Sequence, residues 1–241
     1  MRRILNNTIF IIVILFLICG LFGCADSTFY DNLKAIVEEH EEDGGTPPYG
    51  GLDVVFLVDL SGSMTTPLNT IKGELDFIYS EIILPHNTDA QLGLGSFNDY
   101  SSSGGATPFE YARNQDLTTN ANDIATEVNA LTVVGGTGDM AGHAALYNSS
   151  ASAESFSWRP YSDRIIFIIA DSAFHNADDP GEEPGYPGPG RNAAVSELLA
   201  NNITIGGLNI TAQSQPDLDS LATDLGGISV LLSTPLVISD E

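Results

Sequence analysis

The chain has 241 residues, with 8 Lys and Arg against 32 Asp and Glu and a formal charge of −24. Such a surface has no basic footprint to displace counterions from phosphates, which argues against a nucleic-acid partner. The length suits one large domain or two small ones, and a 43% hydrophobic content can bury a core. Two Cys can make neither a disulfide framework nor a Cys-rich zinc site.

Residues 1–23 read as a signal peptide. Arg2 and Arg3 form a basic n-region, and Ile9–Phe22 is an apolar stretch too short to span a membrane comfortably. The run Leu21-Phe22-Gly23-Cys24 resembles the bacterial lipobox, in which a small residue precedes a cysteine that becomes lipidated; Phe22 is bulkier than usual there. An uncleaved anchor is the other reading. Cleavage before Cys24 discards Cys19 and leaves one, acylated cysteine. The expectation is an exported protein tethered to the cell envelope by a lipid. Ala25 after the cysteine favours the outer membrane or cell surface, by resemblance to enteric sorting rules.

Residues 24–51 read as a tether: a like-charge run, Glu38 to Asp43, precedes Gly44-Gly45-Thr46-Pro47-Pro48-Tyr49-Gly50-Gly51. Phe29–Val37 has the makings of a short helix. The remainder, 52–241, alternates compact apolar runs with helical patterns. Val54–Leu60, Gln91–Phe97, Ile165–Ala170, Ile203–Ile210 and Ile228–Leu232 predict strands. A helix follows the first, with Leu68, Ile71, Leu75, Ile78, Tyr79 and Ile82 on one face, Thr66 as N-cap and Pro67 at the first helical position. Ile124, Val128 and Leu131 mark a second helix, and Val195, Leu198 and Leu199 another. A last helix starts at Pro216, carries Leu218, Leu221 and Leu225, and stops at Gly226-Gly227. Four prolines make Asp178–Gly190 a loop. The alternation implies an α/β fold with a doubly wound, mostly parallel sheet.

The chemistry concentrates at strand ends. Asp59-Leu60-Ser61-Gly62-Ser63-Met64 lies between the first strand and its helix; Asp171 ends a second apolar strand; Gly135-Gly136-Thr137-Gly138-Asp139 opens a further helix. Carboxylate and hydroxyl oxygens suit a hard cation such as Mg²⁺ or Ca²⁺ rather than a softer metal. Two Asp balance one divalent ion and hydroxyls add no charge, so the ion stays able to attract a carboxylate from a partner.

These residues, in this order, resemble the von Willebrand factor type A fold and its metal-ion-dependent adhesion site. The likeness runs from about Leu52 to Leu232 and is closest to the I-like domain of integrin β subunits and its bacterial relatives. Gly93-Leu94-Gly95-Ser96-Phe97-Asn98-Asp99, Ser157-Trp158-Arg159 and Asp171-Ser172-Ala173-Phe174-His175 carry it further. The resemblance implies a six-stranded sheet in the order 3-2-1-4-5-6, flanked by helices, with one antiparallel edge strand. It implies Asp59, Ser61, Ser63, Thr137 and Asp171 as metal ligands, with Mg²⁺ first and Mn²⁺ or Ca²⁺ as alternatives. Departures point to one metal site instead of three: Val134 replaces an acidic residue, and Thr66 and Pro67 replace two aspartates. With only nine residues, Ser233–Glu241, after Leu232, the family's long closing helix is expected to be short or absent, which argues against integrin-like allosteric switching.

Each residue also has a plainer reading. Asp59 caps a helix, Ser61 and Ser63 are turn residues, and Thr137 is an N-cap for a helix near Met140. Asp139 complements a helix dipole. His175 and Phe174 pack and bond loops; His86 and His143 have no evident partner. Asp178, Asp179, Glu182 and Glu183 form a solvated acidic loop, since their spacing fits no EF-hand.

The leading expectation is a non-enzymatic, surface-tethered module that binds a protein or peptide Asp or Glu through a divalent cation. An alternative is a structural envelope lipoprotein with a vestigial metal site, its acidic excess serving solubility in salt. A serine hydrolase using Ser61 or Ser63 with His175 ranks last: no Gly-x-Ser-x-Gly elbow is present, and Val134–Asp139 lacks the Lys of a phosphate loop.

Overall fold

The computed structural model describes residues 51–77, 89–100, 110–136, 138–151, 153–179 and 186–231. The signal peptide, Cys24, the tether through residue 50, Ile78, Tyr79, Ile82, His86, Thr137, Glu182, Glu183 and Leu232 lie outside the described residues, as does everything beyond Leu232. Six strands form one sheet: β1 (Leu52–Asp59), β2 (Ala90–Phe97), β3 (Ala112–Thr118), β4 (Asp163–Ala170), β5 (Ile203–Asn209) and β6 (Ile228–Leu231). Their spatial order is β3-β2-β1-β4-β5-β6. β3 runs antiparallel to β2 at the edge, and all other pairings are parallel. The expected six-stranded, doubly wound architecture is therefore observed.

Strand β1, LDVVFLVD, is buried along its whole length. Its alternate side chains feed two cores, as a central strand covered on both faces must. Val54, Phe56 and Val58 pack with Leu68, Ile71 and Leu75 of α1 (Thr65–Phe77) and with Ile124 and Val128 of α2 (Ala121–Ala130). Val55 and Leu57 face the opposite core, which holds Leu146 of α3 (Gly142–Ala151), Leu198 of α4 (Arg191–Ala200) and Leu218, Leu221 and Leu225 of α5 (Gln215–Leu225). Helix α5 ends as its sequence requires: Gly226 adopts φ 69°, a left-handed cap in which its N–H bonds Ala222 O.

Several details depart from the sequence patterns. Thr66 is not the N-cap of the first helix. A short 3₁₀ turn, Gly62–Met64, runs directly into α1, so the cap position moves back to Ser61 and Pro67 falls within the first helical turn. Leu199 is 53% exposed and does not belong to the core. Asp178 is not merely solvated: its carboxylate accepts from the Asn192 amide (2.7 Å) and so caps α4, an end that Gly190 leaves without a side-chain cap.

The two ends of β1 carry buried aspartates with opposite fates. Asp53, at the amino end, is neutralised. Arg159 donates to it from its backbone N–H (2.9 Å) and Nε (2.7 Å), and Ser162 Oγ adds a third bond (2.7 Å). Asp59, at the carboxyl end, has no such cation among the described residues.

Candidate metal centre

Asp59 is the last residue of β1 and Asp171 immediately follows β4. These strands are neighbours, at the point where strand order reverses, which is the usual ligand crevice of an open α/β sheet. The tight turn after β1 brings the serines back to the same place. The Ser61 amide donates to Asp59 Oδ1 (2.7 Å). The Ser61 hydroxyl donates to Asp171 Oδ1 (3.3 Å) and shares a hydrogen bond with Ser63 Oγ (3.1 Å). Ser172 Oγ also donates to Asp171 Oδ1 (3.0 Å). Four of the five expected ligand residues, Asp59, Ser61, Ser63 and Asp171, are thus joined in one cluster.

Electrostatics distinguish this cluster from a simple turn. Asp59 is fully buried, and among the described residues its Oδ2 has no hydrogen-bond partner. Burial, above all, and the neighbouring Asp171 carboxylate push its pKa up to about 7, against the lowering effect of the Ser61 amide. An ionised carboxylate held this way is costly unless a cation balances it. Among the described residues there is no group of three or more His, Cys, Asp or Glu placed to hold a metal. The donor set is instead two carboxylates plus hydroxyls, the oxygen-only chemistry that suits Mg²⁺, Mn²⁺ or Ca²⁺. The orphaned Asp59 oxygen and the converging serines fit a small hard cation.

The surrounding loops are stitched together by main-chain bonds. Val134 N–H donates to Leu60 O (2.9 Å), so the approach to Gly135-Gly136 is fastened beside the residue between Asp59 and Ser61. The Val134 side chain packs partly buried against the core, consistent with its lacking a ligand role. Gly135 and Gly136 have φ 99° and 102°, and a Cβ on Gly136 would lie 2.6 Å from Asn98 Oδ1. Met140 N–H donates to Ala173 O (2.8 Å) and His175 N–H to Met140 O (2.9 Å), tying the start of α3 to the loop after Asp171. Asp139 is exposed, just ahead of α3.

The histidines serve these loops. His175 is buried, with Nε2 3.0 Å from Asp99 Oδ1 and its ring stacked on Tyr186. Phe174 meets Phe97 edge to face. The buried His143 places Nδ1 2.9 Å from His175 O, so that nitrogen carries the proton, and burial lowers its pKa. Sequence reasoning gave no role to Asn98. Its Nδ2 donates to Gly135 O (2.8 Å), a bond signalled in the sequence only by an amide residue directly after a buried strand.

Comparison with known proteins bears on the fold. Residues 53–230 match the von Willebrand factor type A domain family. The chain belongs to that family. The VWA domain of SpRpn10, in its crystal structure, is similar in fold: TM-score 0.52 at 14% identity, over 77% of this chain and 91% of that one. The alpha-protein kinase vwkA of Dictyostelium discoideum is 26% identical over 157 residues, 64% of this chain. This chain spans only 24% of that kinase. VWA domains generally bind proteins and often carry a divalent cation at an adhesion site.

Proposed function

We propose that this VWA domain binds a protein or peptide through a divalent cation held by Asp59, Ser61, Ser63 and Asp171, with Thr137 completing the set. The observation that carries the proposal is the buried Asp59 Oδ2, which has no hydrogen-bond partner among the described residues although it lies in a cluster of oxygen donors. A bound cation there would supply Lewis-acid attraction for a carboxylate oxygen from the partner. The chain's own residues set the terms of that attraction. Two aspartates balance a divalent charge without exceeding it, and the serine hydroxyls donate electron density without adding charge. Mg²⁺ is the first choice, with Mn²⁺ or Ca²⁺ as alternatives.

Binding without catalysis is supported by the histidine. The His175 ring faces Asp99, stacks on Tyr186 and meets Tyr100 edge to face, while the Ser61 and Ser63 hydroxyls bond each other and Ser61 bonds Asp171. The proposal extends to tethering by a lipid on Cys24 after removal of residues 1–23, which would hold the domain at the cell envelope. A specific kinship with integrin β I-like domains also belongs to it, resting on the Gly93–Asp99 and Asp171–His175 runs.

Calorimetric titration of Mg²⁺, Mn²⁺ and Ca²⁺ into the protein and an Asp59→Ala variant tests the reading. Saturable one-to-one binding that the variant abolishes supports it. Heats absent for all three ions would overturn it.

A further inference from the structure

We propose that Asn98 is a positioning residue of the metal site, an inference that rests on the cation reading above. Asn98 is buried, directly after β2, a strand that supplies no expected ligand. One of its side-chain hydrogen bonds runs to the glycine turn and the other to its own neighbour. Nδ2 donates to Gly135 O (2.8 Å), and Oδ1 accepts from the Asp99 amide (2.8 Å). Its own carbonyl accepts from Ala141 N–H (3.0 Å). One residue therefore bonds both Gly135 and Ala141.

That loop needs an outside anchor. Gly135, Gly136 and Gly138 all sit at φ near 100°, a conformation with a large entropy cost to hold and no side chain of their own to hold it. Asn98 fills the space where a Cβ on Gly136 would lie, so the side chain sets the depth of the turn as well as bonding it. Asn98 is itself immobilised through Asp99, whose carboxylate accepts from Tyr100 N–H (2.7 Å) and pairs with His175 (3.0 Å). His175 belongs to the loop that begins with Asp171. The Asn98-Asp99 pair thus spans the glycine turn and the Asp171 loop, and it fixes their separation without touching the ion.

The test is Mn²⁺ binding to the full chain and to Asn98→Ala, read by calorimetry and by the electron paramagnetic resonance spectrum of bound Mn²⁺. Asn98→Ala weakens Mn²⁺ binding at least tenfold and broadens the spectrum, because the donors no longer hold one geometry. Asn98→Ser, too short to reach Gly135 O, gives the same result and decides the matter if the alanine variant does not fold. Mn²⁺ affinity within twofold of wild type with an unchanged spectrum would overturn the inference, even if the melting temperature falls. Wild-type protein that does not bind Mn²⁺ would overturn the cation reading and this inference together.

Discussion

Asp59→Asn separates the cost of the buried carboxylate from its use. The asparagine keeps the shape of the side chain and an oxygen for the Ser61 amide, and it removes the charge from the unpartnered Oδ2 position. In the metal-free fold the Asp59 pKa is raised from 3.8 to about 7, chiefly by burial. The sign follows: a carboxyl raised in the folded state contributes stability below its unfolded pKa, and that contribution is lost as pH rises through the folded value. At about 1.4 kcal/mol per pH unit, tapering as the folded carboxyl itself ionises near pH 7, wild type loses roughly 2.5 kcal/mol from this group between pH 5 and pH 8. The substitution removes that loss. In chelator-containing buffer, the melting temperature of Asp59→Asn relative to wild type rises by roughly 5–10 °C from pH 5 to pH 8, at about 2–4 °C per kcal/mol for a domain of this size. Using the difference between the two proteins cancels the titration of the other acidic groups. Thermal melts by circular dichroism provide the assay. A gap that is the same at both pH values, or a variant less stable than wild type at pH 8, would refute the claim that Asp59 is an uncompensated buried charge.

Three further outcomes rest on the same structure. Because protons compete with the cation at Asp59, the calorimetric Mg²⁺ Kd stays constant above pH 7 and rises about tenfold per unit as pH falls below it. Arg159→Met leaves the buried Asp53 without its guanidinium and costs about 3 kcal/mol in urea unfolding. The same variant leaves Mg²⁺ affinity unchanged, since Asp53 and Asp59 are separated by about 20 Å of extended strand.

The parts of this architecture visible in the sequence were those with strong local physics. Runs such as Val54–Leu60 and Ile165–Ala170 are apolar on both faces, so they are central strands, and the carboxylates at their ends mark the crevice. The stop at Gly226 needs only a left-handed residue. Strand β3 gave little signal of its own: ARNQDLT lies at a sheet edge, only partly buried, and came from family likeness alone. Thr66 misled because the 3₁₀ turn satisfies the donors a cap would have met. Asp178 looked solvated because the backbone it caps lies fourteen positions later. The roles of Asn98, Asp99 and His175 arise from contacts across 37 to 76 positions, which no local pattern encodes.

The most direct measurement of the central claim is anomalous scattering from crystals soaked in Mn²⁺. The account predicts one strong peak bounded by oxygens of Asp59, Ser61, Ser63 and Asp171. Clear density for these side chains with no Mn²⁺ peak between them, at saturating metal and pH 8, would contradict it.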